Sequence, residues 1–295
     1  MEQIVITAPH SVTSFIRRHP TVAFFLLAYA GAWLLLSIPV LSVSGFGVLP
    51  IEIPPELFYI LSAITGPTLA AFVITRVCEG KEGVRRLTRR ILNWRAKLRW
   101  YLLSLLGVLA IYLLVATLFL GSAPWQLLIN DWPIILTSYL PNTLMVFLIV
   151  SIWEEIGWTG FAAPKLQERL GPIGAAIGVG LLWALWHLPT YFLSGQVVDV
   201  KIGIHDLERL PPLLFNLIIL GILVRVIMIW LSNRTNGNII VLTLFHAGMN
   251  MTNGKLLPAF VPGFKESWLF IAFGTTALLL TILTLGRLSY KRAGY

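Results

Sequence analysis

The sequence predicts an all-α, polytopic integral membrane protein with about eight transmembrane helices and both termini cytosolic. Three observations predict it. Hydrophobic residues make up 57% of the chain and charged residues 12%, with a mean hydropathy of +0.82. Apolar runs of about 18 to 23 residues recur along its length, and Lys and Arg gather on alternate connecting segments.

Each run is long enough, at ~1.5 Å per residue, to cross a ~30 Å hydrocarbon layer. The first, 21–43, follows Arg17 and Arg18 and is a full span with no short hydrophobic region or small-residue cleavage site, so no removable signal sequence is expected. The second, 56–77, ends where a basic stretch begins, and the third, 100–120, starts where that stretch closes. The fourth, 134–162, is overlong because it continues through Glu154 and Glu155, and Pro141 predicts a kink near its beginning. Next come 172–194 with "LLWALWHLPTYF", 212–231 with Arg225, 237–253 with "IIVLTLFHAGMN", and 267–287.

Orientation follows from the basic residues. Arg17 and Arg18, the nine between Arg76 and Arg99, Lys165 and Arg169, Arg234, and Arg287, Lys291 and Arg292 all fall on one predicted side, which makes seventeen of the twenty-two. Lys201, Arg209, Lys255 and Lys265 fall on the other, and Arg225 sits inside a span. The formal net charge of +9 belongs mostly to the stretch 76–99, where Leu87, Ile91, Trp94 and Leu98 recur at helical spacing among arginines. This pattern predicts a short interfacial helix on anionic headgroups rather than a nucleic-acid surface. The single cysteine, Cys78, excludes an intramolecular disulfide and a cysteine-based zinc cluster.

An inventory of ionisable residues carries the functional reading. Of thirteen acids, only Glu154 and Glu155 lie in or at the edge of a span, and of five histidines only His187 and His246 do. An ionisable group at the bilayer centre costs about 3 kcal/mol or more, so such groups face a polar interior or mark a functional site. From the predicted cytosolic ends, Glu154 lies ~12 Å in, His246 ~14 Å, Asn250 ~20 Å and His187 ~22 Å, so the four are expected to meet in the inner half to the middle of the membrane. His246 and Asn250 share a helical face, as do Trp183 and His187, whereas adjacent glutamates diverge by about 100°.

The stretches "EEIGWTGF", "WALWHLP" and "HAGMN" resemble, in order and spacing, the three motifs of the CPBP intramembrane proteases: EExxxR, FxxxH and HxxxN or HxxxD. This group includes the type 2 CAAX prenyl endopeptidases and the Abi and lysostaphin-resistance-like proteins. Thr159 stands where the first motif has Arg, removing a cation that orients the second Glu, and Trp183 stands where the second motif has Phe. The resemblance covers about 140–255 and implies a catalytic core there, within a single membrane domain over 1–295 that also carries the basic interfacial loop, 78–99.

By that resemblance Glu154 is the general base, His187 positions or activates the water, and His246 and Asn250 donate to the oxyanion. Glu155 and Trp183 support the site. A glutamate partly withdrawn from water suits such proton traffic. No cofactor is expected. A zinc site built from Glu154, His187, His246 and a second carboxylate stays open as an alternative, ranked lower because Asn250 is a poor zinc ligand and a good oxyanion donor.

Other intramembrane protease chemistries lack their residues. "SVSG" and "FLSG" miss the first Gly of GxSG, no span contains Asp, and no His precedes Glu as HExxH requires. Each feature alone has a plainer reading: the Glu pair as a helix end near Lys165 and Arg169, each His as an interhelical hydrogen-bond partner, Asn250 as helix-packing glue, and Trp153, Trp158, Trp183 and Trp186 as packing and interface anchors. Their coincidence at three motif spacings favours the site. Arg225 reads most simply as snorkelling to headgroups; a second reading pairs it with Glu155 in place of the missing motif Arg. The sequence therefore predicts a multi-pass integral membrane endopeptidase, in the plasma membrane if the source is prokaryotic, acting near the cytosolic face on a membrane-associated peptide or lipidated protein. The alternative is a non-enzymatic immunity or scaffold protein, or a small proton-coupled transporter.

Overall fold

Backbone polar groups have no water to bond in a bilayer, so apolar runs of this length fold as helix. The computed structural model describes residues 12–193, 202–203, 205–256, 261, 263, 265 and 267–290, and among them there is helix and no strand. The termini, Lys201, Lys291 and Arg292, on which part of the orientation argument rests, lie outside the described residues.

Short α1 (Val12–Arg18) leads into α2 (Pro20–Leu41). α3 (Pro55–Ala63) continues through a π-turn at Ile64–Thr68 into α4 (Leu69–Ile91), whose backbone leaves helical geometry at Gly80. The expected 78–99 loop is thus largely helical up to Ile91. α5 (Leu98–Leu120) and α6 (Ala123–Asn130) follow. A π-turn at Ile135–Tyr139, α7 (Leu140–Val146), a second at Phe147–Ser151, α8 (Ile152–Gly157) and a third at Trp158–Ala162 run without a break into α9 (Ala163–Trp186). α10 (Leu210–Arg234), α11 (Ile239–Met251) with a π-turn at Thr252–Leu256, and α12 (Ser267–Leu283) complete the described fold.

Five of these helical stretches are long and apolar enough to cross a membrane. Leu34, Leu114, Leu118, Leu144 and Ile282 are exposed on helix faces, where lipid is their natural solvent. The chain is a multi-pass integral membrane protein.

The structure corrects one expected boundary. The helix bearing the Glu pair does not end at 162 but continues to Gly171, where φ of 73° breaks the helix in the left-handed region that suits glycine. Glu154 and His187 lie almost equally far along the chain on either side of that break, each roughly 25 Å from it at helical rise. The ~12 Å expected between Glu154 and the end of its helix is therefore about half of the distance to the break.

Two close approaches position the site. A Cβ on Gly157 would lie 2.5 Å from the carbonyl oxygen of Pro67, so α8 packs directly on the π-turn after α3. A Cβ on Gly180 would lie 2.6 Å from the Ile222 Cα, and one on Gly221 2.9 Å from the Gly180 oxygen, so α9 and α10 cross at backbone contact. Small residues at a crossing allow this in lipid, where dispersion and hydrogen bonds drive helix association. Trp183 follows Gly180 by one turn and Arg225 follows Gly221 by one turn, which brings the two side chains together.

Candidate active site

Glu154 and Glu155 sit on one short helix turn flanked by π-turns, a feature that re-aims side chains and recurs at functional sites. Both are fully buried, at 0% exposure. Their surroundings differ completely.

Glu154 meets only neutral donors. The Trp183 indole donates to its Oε2 at 2.9 Å, and the Tyr59 hydroxyl approaches its Oε1 at 3.4 Å. The same hydroxyl lies 3.5 Å from Nε2 of His187. Nδ1 of His187 is 2.9 Å from the Trp183 carbonyl, which has only lone pairs to offer. Nδ1 therefore carries the proton in the neutral ring, and Nε2 presents its lone pair toward the Tyr59 hydroxyl.

The end of α9 is pinned by side chains that donate to its carbonyls. Tyr29 donates to Leu182 at 2.6 Å and Trp33 to Trp186 at 3.0 Å, both from α2, while Thr190 donates to the His187 carbonyl at 2.6 Å. The Trp183 and Trp186 rings flank the imidazole at 4.4 and 4.7 Å between centroids. His187 is held in one orientation.

Glu155 meets a cation. Arg225 donates to its Oε2 at 2.8 Å and its Oε1 at 3.0 Å, a bidentate pair, and to the Thr159 hydroxyl at 3.3 Å. Thr159 in turn donates to Glu155 from one turn along the same helix, and His246 Nδ1 lies 2.9 Å from Oε1. Since the carboxylate only accepts, His246 donates through Nδ1 and its Nε2 faces elsewhere. The guanidinium lies 5.6 Å over the Trp183 ring, so the indole divides the two halves, bonded to Glu154 at its edge and facing Arg225.

Arg225 is 3% exposed. The snorkelling expected of it is overturned: α10 runs on to Arg234, and the Gly180–Gly221 crossing turns Arg225 into the bundle, where a buried carboxylate is its partner. It supplies Glu155 with a cation where position 159 holds Thr.

Glu154, Trp183 and His187 converge, as do Glu155 and His246. Asn250 lies one turn after His246, half-buried, and among the described residues no hydrogen bond joins it to Glu154 or His187. Trp158 and Trp186 are fully buried packing residues, while Trp183 is part of the site rather than an interface anchor. Tyr59 escapes a sequence inventory of acids and histidines, because a tyrosine near a span end reads as an aromatic-belt residue. Among the described residues no group of three His, Cys, Asp or Glu side chains is arranged to hold a metal ion. Glu155 is instead engaged by both His246 and Arg225.

The family model for Type II CAAX prenyl endopeptidase Rce1-like proteins matches residues 136–252. The chain is also 26% identical over 208 residues to the CAAX prenyl protease 2 of Methanococcus maripaludis, covering 68% of this chain and 73% of that protein. The family-matched segment contains Glu154, Glu155, His187, Arg225, His246 and Asn250. Both similarities support membership of the CAAX/CPBP family.

Proposed function

We propose that this family member hydrolyses a peptide bond of a membrane-associated substrate with a water activated by Glu154 and His187. One observation carries the reading: a carboxylate oxygen and an imidazole lone pair, brought from separate helices, face a single hydroxyl oxygen at 3.4 and 3.5 Å. Two acceptors within reach of the same hydroxyl border one polar space, in which a hydrolytic water can bond to both.

The water oxygen adds to the scissile carbonyl carbon and its proton passes to Glu154. The oxyanion takes hydrogen bonds from His246 Nε2 and the Asn250 amide. Collapse breaks the C–N bond, and the proton held by Glu154 goes to the leaving amine, giving a carboxylic acid and an amine; the acid proton then passes to the amine, leaving a carboxylate and an ammonium. His246 donates to an oxyanion through Nε2 while Nδ1 donates to Glu155 only as an imidazolium. Two carboxylates then balance Arg225 and His246, so the buried cluster is neutral overall. The reaction is metal-free in this scheme.

The names of the family and of the relative support a prenylated, CAAX-type C-terminal substrate, whose lipid stays in the bilayer while the peptide enters from the cytosolic side. The charge pattern assigns the segment 78–99 to the same side, and its exposed Arg85, Arg86 and Arg89 and its Trp94, 61% exposed, suit anionic headgroups.

The test is turnover of lipidated and plain peptide libraries by the detergent-purified protein, with and without chelator, beside Glu154→Ala. Cleavage of lipidated peptides by the wild type alone, indifferent to chelator, is expected. Equal turnover by the variant overturns the glutamate base, loss on chelation overturns the metal-free scheme, and an inert wild type overturns the protease reading.

A further inference from the structure

We propose that Tyr59 is a positioning residue for the hydrolytic water, a role that rests on the glutamate–histidine reading above. The two polar atoms that the Tyr59 hydroxyl faces are acceptors, and the water is placed beside the hydroxyl, within reach of all three. Glu154 Oε1 offers only lone pairs, and His187 Nε2 offers a lone pair because Nδ1 spends its proton on the Trp183 carbonyl. A water between them donates its two hydrogens, one to Glu154 Oε1 and one to His187 Nε2. Its two lone pairs remain, and only one is needed for the carbonyl carbon. The Tyr59 hydroxyl is the donor in reach to take the other, which fixes the last rotational freedom of the water and points the attacking pair at the substrate.

The distances agree with this role. At 3.4 and 3.5 Å the hydroxyl makes a strong hydrogen bond to neither partner, although a tyrosine placed there for stability alone is expected near ~2.7 Å. An oxygen held loosely between two acceptors is poised for a third molecule to complete the network.

The backbone holds Tyr59 in register with Glu154. The π-turn after α3 packs against Gly157, and Thr68 within it donates to the carbonyl of Trp153, the residue before Glu154. On its other side Thr65 donates to Gly31 of α2 at 3.1 Å. The phenol ring lies 6.5 Å from the centroids of both Trp186 and His187, among rings that are themselves pinned. α3 therefore contributes to a site that otherwise draws on α8, α9, α10 and α11.

Steady-state kinetics of Tyr59→Phe test this, with Tyr191→Phe as a control in which another tyrosine loses a backbone hydrogen bond. Tyr59→Phe is expected to lower kcat by about 10- to 100-fold with KM within about twofold, while the control keeps both. Fluorotyrosines of graded acidity at position 59 keep the ring in place and change only the donor, so kcat is expected to respond to them. Wild-type turnover matched by Tyr59→Phe, or a kcat indifferent to fluorination, overturns the role of Tyr59 while leaving the protease reading intact. A wild type that cleaves nothing overturns both.

Discussion

Glu154 and Glu155 are consecutive residues with equal burial and opposite partners. Glu155 is answered by a bidentate guanidinium, a threonine and a histidine, whereas Glu154 is answered by an indole and a loosely placed phenol. A buried carboxylate paired with a full cation is a fixed charge, because protonating it strands the cation. One held by neutral donors can accept and return a proton without unpairing anything. In the proposed reading the same residue type serves as structure in one half of the site and as chemistry in the other, and a rotation of about 100° around the helix separates the two.

The sharpest way to break this comparison is to remove the cation. Arg225→Leu leaves Glu155 in the bundle without its guanidinium, answered only by Thr159 and His246, and a loss of about 3–5 kcal/mol in unfolding free energy is expected in detergent. If the loss stays within about 0.5 kcal/mol, the pair is not structural. Adding Glu155→Leu to Arg225→Leu removes the stranded charge, so most of the lost stability should return even though activity does not. Thr159→Val keeps the volume and removes one donor from Glu155, for an expected cost of about 1 kcal/mol, readable as a modest fall in Tm. Least of all should Glu154→Gln disturb folding. Its unfolding free energy is expected within about 1 kcal/mol of wild type, since the amide oxygen still accepts from Trp183 or Tyr59, while peptide turnover is abolished. Comparable destabilisation by Glu154→Gln and Arg225→Leu would erase the distinction between the halves.

Much of the site is legible in the sequence. Hydropathy marks the helices because a ~30 Å apolar layer admits few other sequences. Against that background intramembrane Glu and His stand out, and the cost of burying them is what singles out Glu154, Glu155, His187 and His246. Tyr59 carries no such cost, since a phenol is at home near a span end, and so it leaves no signal. Arg225 stands out too, but its direction does not. Distance to a helix end suggests snorkelling, whereas whether an arginine faces lipid or a neighbour depends on which helix crosses beside it. The end of the fourth span is hidden for a related reason. Charges at 165–169 resemble a terminus, but helix persists until a residue adopts a backbone angle that ends it, here Gly171.

By itself, then, the sequence determined an all-α membrane protein, the runs that become helix and the inventory of buried polar residues, because these follow from local length and composition. Only the tertiary structure decided which carboxylate received the arginine and which was left to neutral donors. That choice depends on the Gly180–Gly221 crossing and on the packing of Gly157 against Pro67. Both are contacts between residues far apart in the chain, and the spacing within any one helix carries no record of them.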